Sequence, residues 1–521
     1  MRSIVRTWSI GASTLGLAVV MAGGLVVSMA SPSSATGPVP RLSGAAAVIP
    51  EVQVTVAPPI APAPERLRWK RCAGSPRLDC ALLRVPLDYA KPTGRMIELS
   101  VTRSAARVPS KRIGSLVINP GGPGGSGAGF TGQAAQLFGT RLTDVFDTVG
   151  FDPRGVAASA PIRCLSTSAL TRYLTADPSP DTPAEREEII ATSREFADGC
   201  LAKNGADVLR HVSTQDAARD IEQLRRALGE TTISYFGFSY GTLLGATFAD
   251  LFPTSVRAAV LDGALDPMAD NDERAKLQAI GFEQALRNFT SDCALRASCR
   301  QRLGKDPMAV VDSLSDRVEN TPFRVGKRSV GPSEYTIALI SMLYSQRYGW
   351  PRLESALGLA LQGDASGLLA LFDGYVDRNP DGSYRNTTEA NAAINCADVP
   401  SSRDLAHYDQ LATELQALAP HFGVVTAYYN VICALWAVPA VAPPHPLVAD
   451  GAPPILVVGT TQDPATPLVW AQAMAKELRS GVLLQVAGKS HTAYLSGGPC
   501  VRSAVEDYLV QLKVPAVGTR C

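Results

Sequence analysis

The chain has almost no net charge. Its 521 residues carry 49 Lys and Arg against 48 Asp and Glu, a balance of +1, and no basic stripe stands out along the sequence. A nucleic-acid role therefore has no electrostatic footing. Histidine is scarce, with five residues, none of them clustered with a cysteine, and there is no C-x-x-C pair. That excludes the common metal sites built on sulfur and imidazole. The first cysteine is Cys72, so no lipid-bearing cysteine follows the N-terminal apolar run. Arg2 and Arg6 are not adjacent, which removes a twin-arginine export signal.

What the N-terminus does hold is Arg2 and Arg6 ahead of an apolar, small-residue run, Ile10–Ala30, with Ser33-Ser34-Ala35 beyond it. Residues 1–35 read as a secretory signal peptide cut after Ala30 or Ala35, with a retained membrane anchor as the alternative. Residues 36–66 are rich in Pro and Ala without helical period and read as a linker. Ten cysteines in an exported chain are expected to pair. Proximity suggests Cys72 with Cys80, Cys164 with Cys200, Cys293 with Cys299, Cys396 with Cys433, and Cys500 with Cys521. Connectivity is not readable from sequence alone.

Along the chain, Ile97–Thr102, Ser115–Asn119, Val149–Phe151, Ile233–Phe236, Ala258–Leu261, Ile455–Val458 and Val482–Val486 read as strands. Thr214–Leu228 is an amphipathic helix stopped by Gly229. The alternation predicts an α/β fold, a mostly parallel sheet with helices on both faces. After Asp266 the texture turns helical: Asp272–Phe289, Pro307–Val318, Glu334–Tyr344, Leu353–Leu361 and Gly367–Val376. The expected organisation is a core in two parts, 67–266 and 396–521, interrupted by a helical cap at 267–395. A terminal helix is expected at Ser503–Leu512.

The stretch around Gly237-Phe238-Ser239-Tyr240-Gly241 organises the rest. It joins a β-branched, aromatic strand to a helix rich in small apolar residues, the setting that G-x-S-x-G requires to act as a nucleophile elbow. Glycines at both ends relieve the crowding of a strand that turns straight into a helix, leaving Ser239 exposed. A serine hydroxyl needs a neighbouring base to attack near neutral pH. His211 precedes the elbow, His407 and His421 lie in or beside helices, and His445 sits in a proline-rich loop. His491 follows the strand Val482–Val486 directly, at the edge where sites of open α/β sheets assemble. The orienting acid belongs at the end of another strand, between serine and histidine in the chain. Asp463 fits best, with Asp262 and Asp266 as alternatives.

Asn119–Gly127 is the most glycine-dense stretch. It formally matches G-x-G-x-x-G, but Asp147 falls before a strand rather than at its end, so a dinucleotide site is not supported. No lysine follows, so it is not a phosphate-binding P-loop either. Its exposed N–H groups suit an oxyanion, and Gly122 and Tyr240 are the expected donors. No cofactor is implied.

Taken together, Gly121–Gly124, Asp152-Pro153-Arg154-Gly155, Gly237–Gly241 and the Asp463 and His491 loops resemble the secreted tripeptidyl aminopeptidases of bacteria. These belong with the proline-iminopeptidase-like serine peptidases of the α/β-hydrolase fold. The resemblance runs from about Trp69 to Cys521. Proline iminopeptidases carry a histidine where this chain has Pro120, and Asn119-Pro120-Gly121-Gly122-Pro123-Gly124 favours the tripeptidyl group. The resemblance implies removal of short peptides from free N-termini, outside the cell and in solution or at the cell wall, with peptide or protein N-termini as partners. An esterase or lipase on the same machinery is the alternative, and a catalytically silent binding protein a third reading. An aminopeptidase needs carboxylates for the substrate's ammonium group. Asp270, Asp272, Glu273 and Asp398 are candidates, but each reads first as a helix-end or surface charge, and no binding residue is assigned.

Overall fold

Leu116–Ile118, Ile233–Phe236 and Ile455–Val458 are apolar or aromatic along almost their whole length and buried throughout. Strands with no face for water belong inside a sheet covered on both sides. The computed structural model describes residues 63–521 and builds that sheet. The signal-peptide and linker readings fall on residues 1–62, outside the described residues, and only the last few linker positions are seen. No helix among the described residues is long and apolar enough to cross a membrane.

In chain order the strands are β1 (Lys70–Arg71), β2 (Asp79–Pro86), β3 (Met96–Ser104), β4 (Gly114–Asn119), β5 (Phe146–Phe151), β6 (Ile233–Phe238) and β7 (Val256–Asp262), then β8 (Phe323–Val325), β9 (Arg328–Val330), β10 (Ile455–Thr460) and β11 (Gly481–Val486). Nine form one sheet in the order β1-β2-β3-β5-β4-β6-β7-β10-β11, while β8 and β9 make a separate hairpin. From β5 to β11 every neighbour is parallel; β1, β2 and β3 add an antiparallel edge. From β4 the chain goes outward to β5, then returns to place β6 on β4's other side. The crevice beyond the carboxyl ends of β4 and β6 is thus the switch point of the sheet, where ligands of open α/β folds bind.

Alternate residues of the central strands feed two cores. Val117, Tyr235, Ala259 and Val457 face one layer of helices; Leu116, Phe236, Val260 and Leu456 face the other. In the second layer Phe236 and Phe238 stack at 4.5 Å, with Phe138 and Tyr494 packed against Phe236 at 5.5 and 5.1 Å. Each large side chain buried this way contributes about 1.5–3 kcal/mol.

All seven expected strands are present, lengthened at their ends. The helical stretch contains Asn271–Leu295, Pro307–Asn320, Pro332–Leu343, Trp350–Ala360 and Ser366–Tyr375, as expected. It also contains the unexpected β8–β9 hairpin. Helices continue through Thr387–Asp398, Leu405–Leu418, Gly423–Tyr428 and Val431–Ala434, so residue 395 lies inside a helix. Also unexpected are β1 and β2 and the helices Gly127–Leu137, Thr167–Thr175 and Pro183–Arg210. The last packs against this helical layer, where Arg186 makes a two-pronged bond to Asp409 at 2.6 and 2.7 Å. The ten cysteines form the five pairs that proximity suggested, and none is free. The terminal helix is Pro499–Gln511.

Candidate active site

Ser239 sits between β6 and the helix Tyr240–Leu251 with φ 55° and ψ −126°, a conformation that costs an L-residue on the order of 1–3 kcal/mol. Its surroundings hold it there. Its N–H donates to Asp262 O at 2.9 Å, and its carbonyl accepts from Thr242 N at 2.8 Å and Thr242 Oγ1 at 2.6 Å. A side chain on Gly237 would run into the backbone of Gly241, which is why a glycine opens this turn. Ser239 itself is half-buried at the sheet's edge.

Asp463 and His491 are brought together at the ends of β10 and β11. The imidazole Nδ1 lies 2.9 and 3.0 Å from the two carboxylate oxygens. Asp463 is buried and accepts three further bonds, from Ala465 N, Thr466 N and Thr492 N at 3.0, 2.8 and 3.0 Å. Such a saturated carboxylate is an acceptor locked in orientation, so Nδ1 carries the hydrogen and Nε2 remains the acceptor. The His491 N–H is bound to Tyr344 O at 2.7 Å, and the Tyr344 ring stands edge-on to the imidazole at 5.3 Å. Burial pulls the imidazole pKa down, but the charge and hydrogen bond of Asp463 outweigh it, and the net shift is upward.

The serine hydroxyl makes no hydrogen bond among the described residues. Its link to the imidazole is through the backbone after β7. Ser239 N–H is bound to Asp262 O, and a Cβ on the next residue, Gly263, would lie 3.3 Å from His491 Cε1. Nucleophile–base contacts of this kind commonly tighten only with substrate in place.

The glycine loop meets the elbow from the other side. A Cβ on Gly121 would fall 2.9 Å from Ser239 Cβ and 3.3 Å from Tyr240 N. The Gly121 N–H is taken by Asn119 Oδ1 at 2.9 Å. Those of Gly122 and Tyr240 donate to no group among the described residues, leaving two N–H groups open beside the serine. Asp152 secures the loop's far end, accepting from Ser126 Oγ at 2.5 Å and Ala128 N at 3.1 Å. Arg154, wholly buried, pairs with Asp220 through Nε at 2.8 Å and Nη2 at 2.6 Å. The Asp152–Gly155 motif is thereby scaffolding for the site.

Asp262, the alternative acid, does not contact the imidazole. Its buried carboxylate accepts from Ala493 N and Tyr494 N, both at 2.8 Å, and anchors the loop that carries His491. Burial pushes its pKa up to about 6. Asp266 accepts from Met268 N at 2.8 Å in a turn of its own. The other histidines have partners elsewhere. His211 approaches Asp216, His407 approaches Asp272, His421 lies between Glu283 and Asp312, and His445 faces a backbone carbonyl. Of the acids considered for an ammonium group, Asp270 caps its own helix by accepting from Glu273 N at 2.9 Å, and Asp272 pairs with His407. Asp398 accepts from Thr214 N and Oγ1 at 2.7 and 2.5 Å. Of these four, only the Glu273 carboxylate makes no hydrogen bond or ion pair among the described residues. Thr466 went unnoticed in the sequence, although its Oγ1 lies 3.2 Å from His491 Nδ1. The signal was there: Asp463-Pro464 begins a turn that folds back on the aspartate's own carboxylate.

A strained serine after a central strand, at the switch point of this sheet, defines an α/β hydrolase. Residues 114–319 match the family model described as alpha/beta hydrolase fold, and residues 419–521 match that of TAP-like protein. The chain is 37% identical over 477 residues to the serine protease Hip1 of Mycobacterium tuberculosis, covering 87% of this chain and 91% of that one. It is 36% identical over 500 residues to carboxylesterase B of the same species, covering 92% and 94%. It is 32% identical over 468 residues to the tripeptidyl aminopeptidase of Streptomyces lividans, covering 87% and 86%. The chain belongs to this TAP-like family of α/β hydrolases.

Proposed function

We propose that this protein is an exported serine aminopeptidase that releases short peptides, tripeptides foremost, from free N-termini. Ser239 Oγ attacks the scissile carbonyl while His491 Nε2 takes its proton. The new C–O bond leaves an oxyanion that faces the Gly122 and Tyr240 N–H groups. The C–N bond then breaks, His491 returns the proton to the leaving amine, and water releases the acyl group by the same steps in reverse. Asp463 holds the imidazole and offsets its charge. Losing one oxyanion donor costs about 3–4 kcal/mol of transition-state stabilisation. The observation that carries this reading is the Asp463–His491 pair at the strand ends beside a serine in the left-handed region. The five disulfides accord with export.

The peptidase assignment draws on the relatives named serine protease and tripeptidyl aminopeptidase. The relative named carboxylesterase B favours a second reading, ester hydrolysis by the same residues. Two measurements test the proposal. A fluorophosphonate should label Ser239, and Ser239→Ala should abolish both labelling and hydrolysis; labelling of another serine would sink the site. Acetylating the N-terminus of a good tripeptide anilide should lower kcat/KM on the order of 10²-fold, about 3 kcal/mol. Equal cleavage of blocked and free peptides would leave an esterase or endopeptidase in its place.

A further inference from the structure

The loop that offers the Gly122 N–H is held from above as well as from the sheet. Asn391, on the helix Thr387–Asp398, donates its Nδ2 to Pro123 O at 3.0 Å, one residue past Gly122. The same helix lies directly on Gly124, where φ is 95° and a Cβ would come within 2.7 Å of Thr387 O and 3.1 Å of Asn391 N. Only a glycine lets the two backbones approach this closely.

The other end of the Asn391 amide is also committed. Its Oδ1 accepts from Tyr429 Oη at 2.6 Å and from Asn395 Nδ2 at 3.0 Å. Two donors on the oxygen decide which way the amide points, because the reverse orientation would set oxygen against the Pro123 carbonyl. The disulfide Cys396–Cys433 then joins the helix bearing Asn391 and Asn395 to the segment just after Tyr429. Tyr429 is 57% exposed although its hydroxyl is bound.

We propose that Asn391 is a positioning residue for the oxyanion loop, so that the helical insertion sets the direction of the Gly122 N–H. This rests on the assignment of Gly122 as an oxyanion donor. Asn391→Asp keeps the shape but turns an oxygen toward Pro123 O, and Tyr429→Phe removes one donor from Asn391 with little change of volume.

The test measures kcat and KM with p-nitrophenyl acetate, normalised to active sites titrated by a fluorophosphonate. A small ester reports the loop rather than peptide contacts. For Asn391→Asp, kcat should fall 10- to 100-fold, the order expected from a misplaced catalytic group, with KM within twofold of wild type. A peptide trifluoromethyl ketone, whose adduct carries the oxyanion, should bind more weakly by a similar factor. Tyr429→Phe should show the same pattern at about threefold. A titrated Asn391→Asp enzyme with wild-type kcat overturns the proposal, as does a variant in which only KM rises. Should Asn391→Asp fail to fold, unchanged kcat in Tyr429→Phe overturns it equally. Wild-type protein that is not labelled at Ser239 would instead refute the site itself, a separate outcome.

Discussion

His491 is pulled in two directions, and the stronger pull is testable. Burial favours the neutral ring, whereas the Asp463 charge and hydrogen bond favour the protonated one and prevail, so its pKa lies above the ordinary 6.5. A protonated imidazole cannot accept the serine proton, so kcat/KM should rise with pH along a limb whose midpoint lies above 6.5. Asp463→Asn removes most of the upward pull, leaving burial and the weaker influence of the Asp262 charge in place. The limb should then move below 6.5 and turnover should drop by up to ~10⁴-fold, with the fold intact. Asp266→Asn, whose carboxylate serves only its own turn, should stay near wild type. A wild-type midpoint at or below 6.5, or a crippling Asp266→Asn, would move the orienting acid elsewhere. The choice of His491 could be read from its place after a strand, but not from a neighbouring acid, because His211, His407 and His421 all stand beside carboxylates too. Thr466 escaped notice because a threonine at the end of a turn carries no periodicity, and its role depends on the fold bringing residue 491 back to it.

The buried parallel strands were readable because continuous apolar runs bounded by glycine and proline have few other uses. The helices before Thr214–Leu228 were harder. Gly127–Leu137 is mostly glycine, alanine and glutamine, and its first glycine is dictated by the backbone of Phe151, a contact invisible in sequence. Pro183–Arg210 did advertise itself: Thr182 and Glu185 form a capping box around Pro183, a start signal that outweighs its weak amphipathicity. The disulfides pin these same segments, and their spans make a prediction. Cys164–Cys200 and Cys396–Cys433 close loops of 36 and 37 residues, whereas Cys293–Cys299 spans 6. In the chain-entropy account, removing either long-span bridge by paired Cys→Ser substitution should cost about 4 kcal/mol, and removing the short one about 2. Denaturant unfolding of the three double variants checks the order. Equal losses would show that native packing, and not the unfolded chain, sets the contribution. Intact mass before and after reduction and alkylation should first show that all ten thiols are masked.

A near-neutral chain can still be strongly polarised, and here the fold does what the sequence conceals. Residues 64–112 carry 12 Lys and Arg against 4 Asp and Glu, whereas residues 113–521 carry 34 against 43. The excess of eight positive charges is spread over too many positions to look like a stripe in the sequence. The strands β1 and β2, absent from the sequence reading, join β3 and gather much of it on the antiparallel edge of the sheet. Part of it is compensated, as in Arg68–Glu65 at 3.4 Å and Arg71–Asp79 at 3.0 Å. Lys70, Arg77, Arg84, Arg95 and Lys111 are exposed and make no ion pair among the described residues. A field from clustered exposed charges acts over about 10 Å at 0.1 M salt and shrinks as salt rises. The described residues sum to −1, 46 basic against 47 acidic, so net charge alone predicts passage through a cation exchanger at neutral pH. The polarised edge predicts retention at low salt and elution by added salt. Reversing Lys70, Arg77 and Arg84 to Glu should abolish retention while leaving ester turnover unchanged, since all three lie on the edge strands and loops away from the crevice of β4 and β6. Wild-type protein in the flow-through, or a triple variant that is still retained, would show that the edge does not govern how the molecule meets a charged surface.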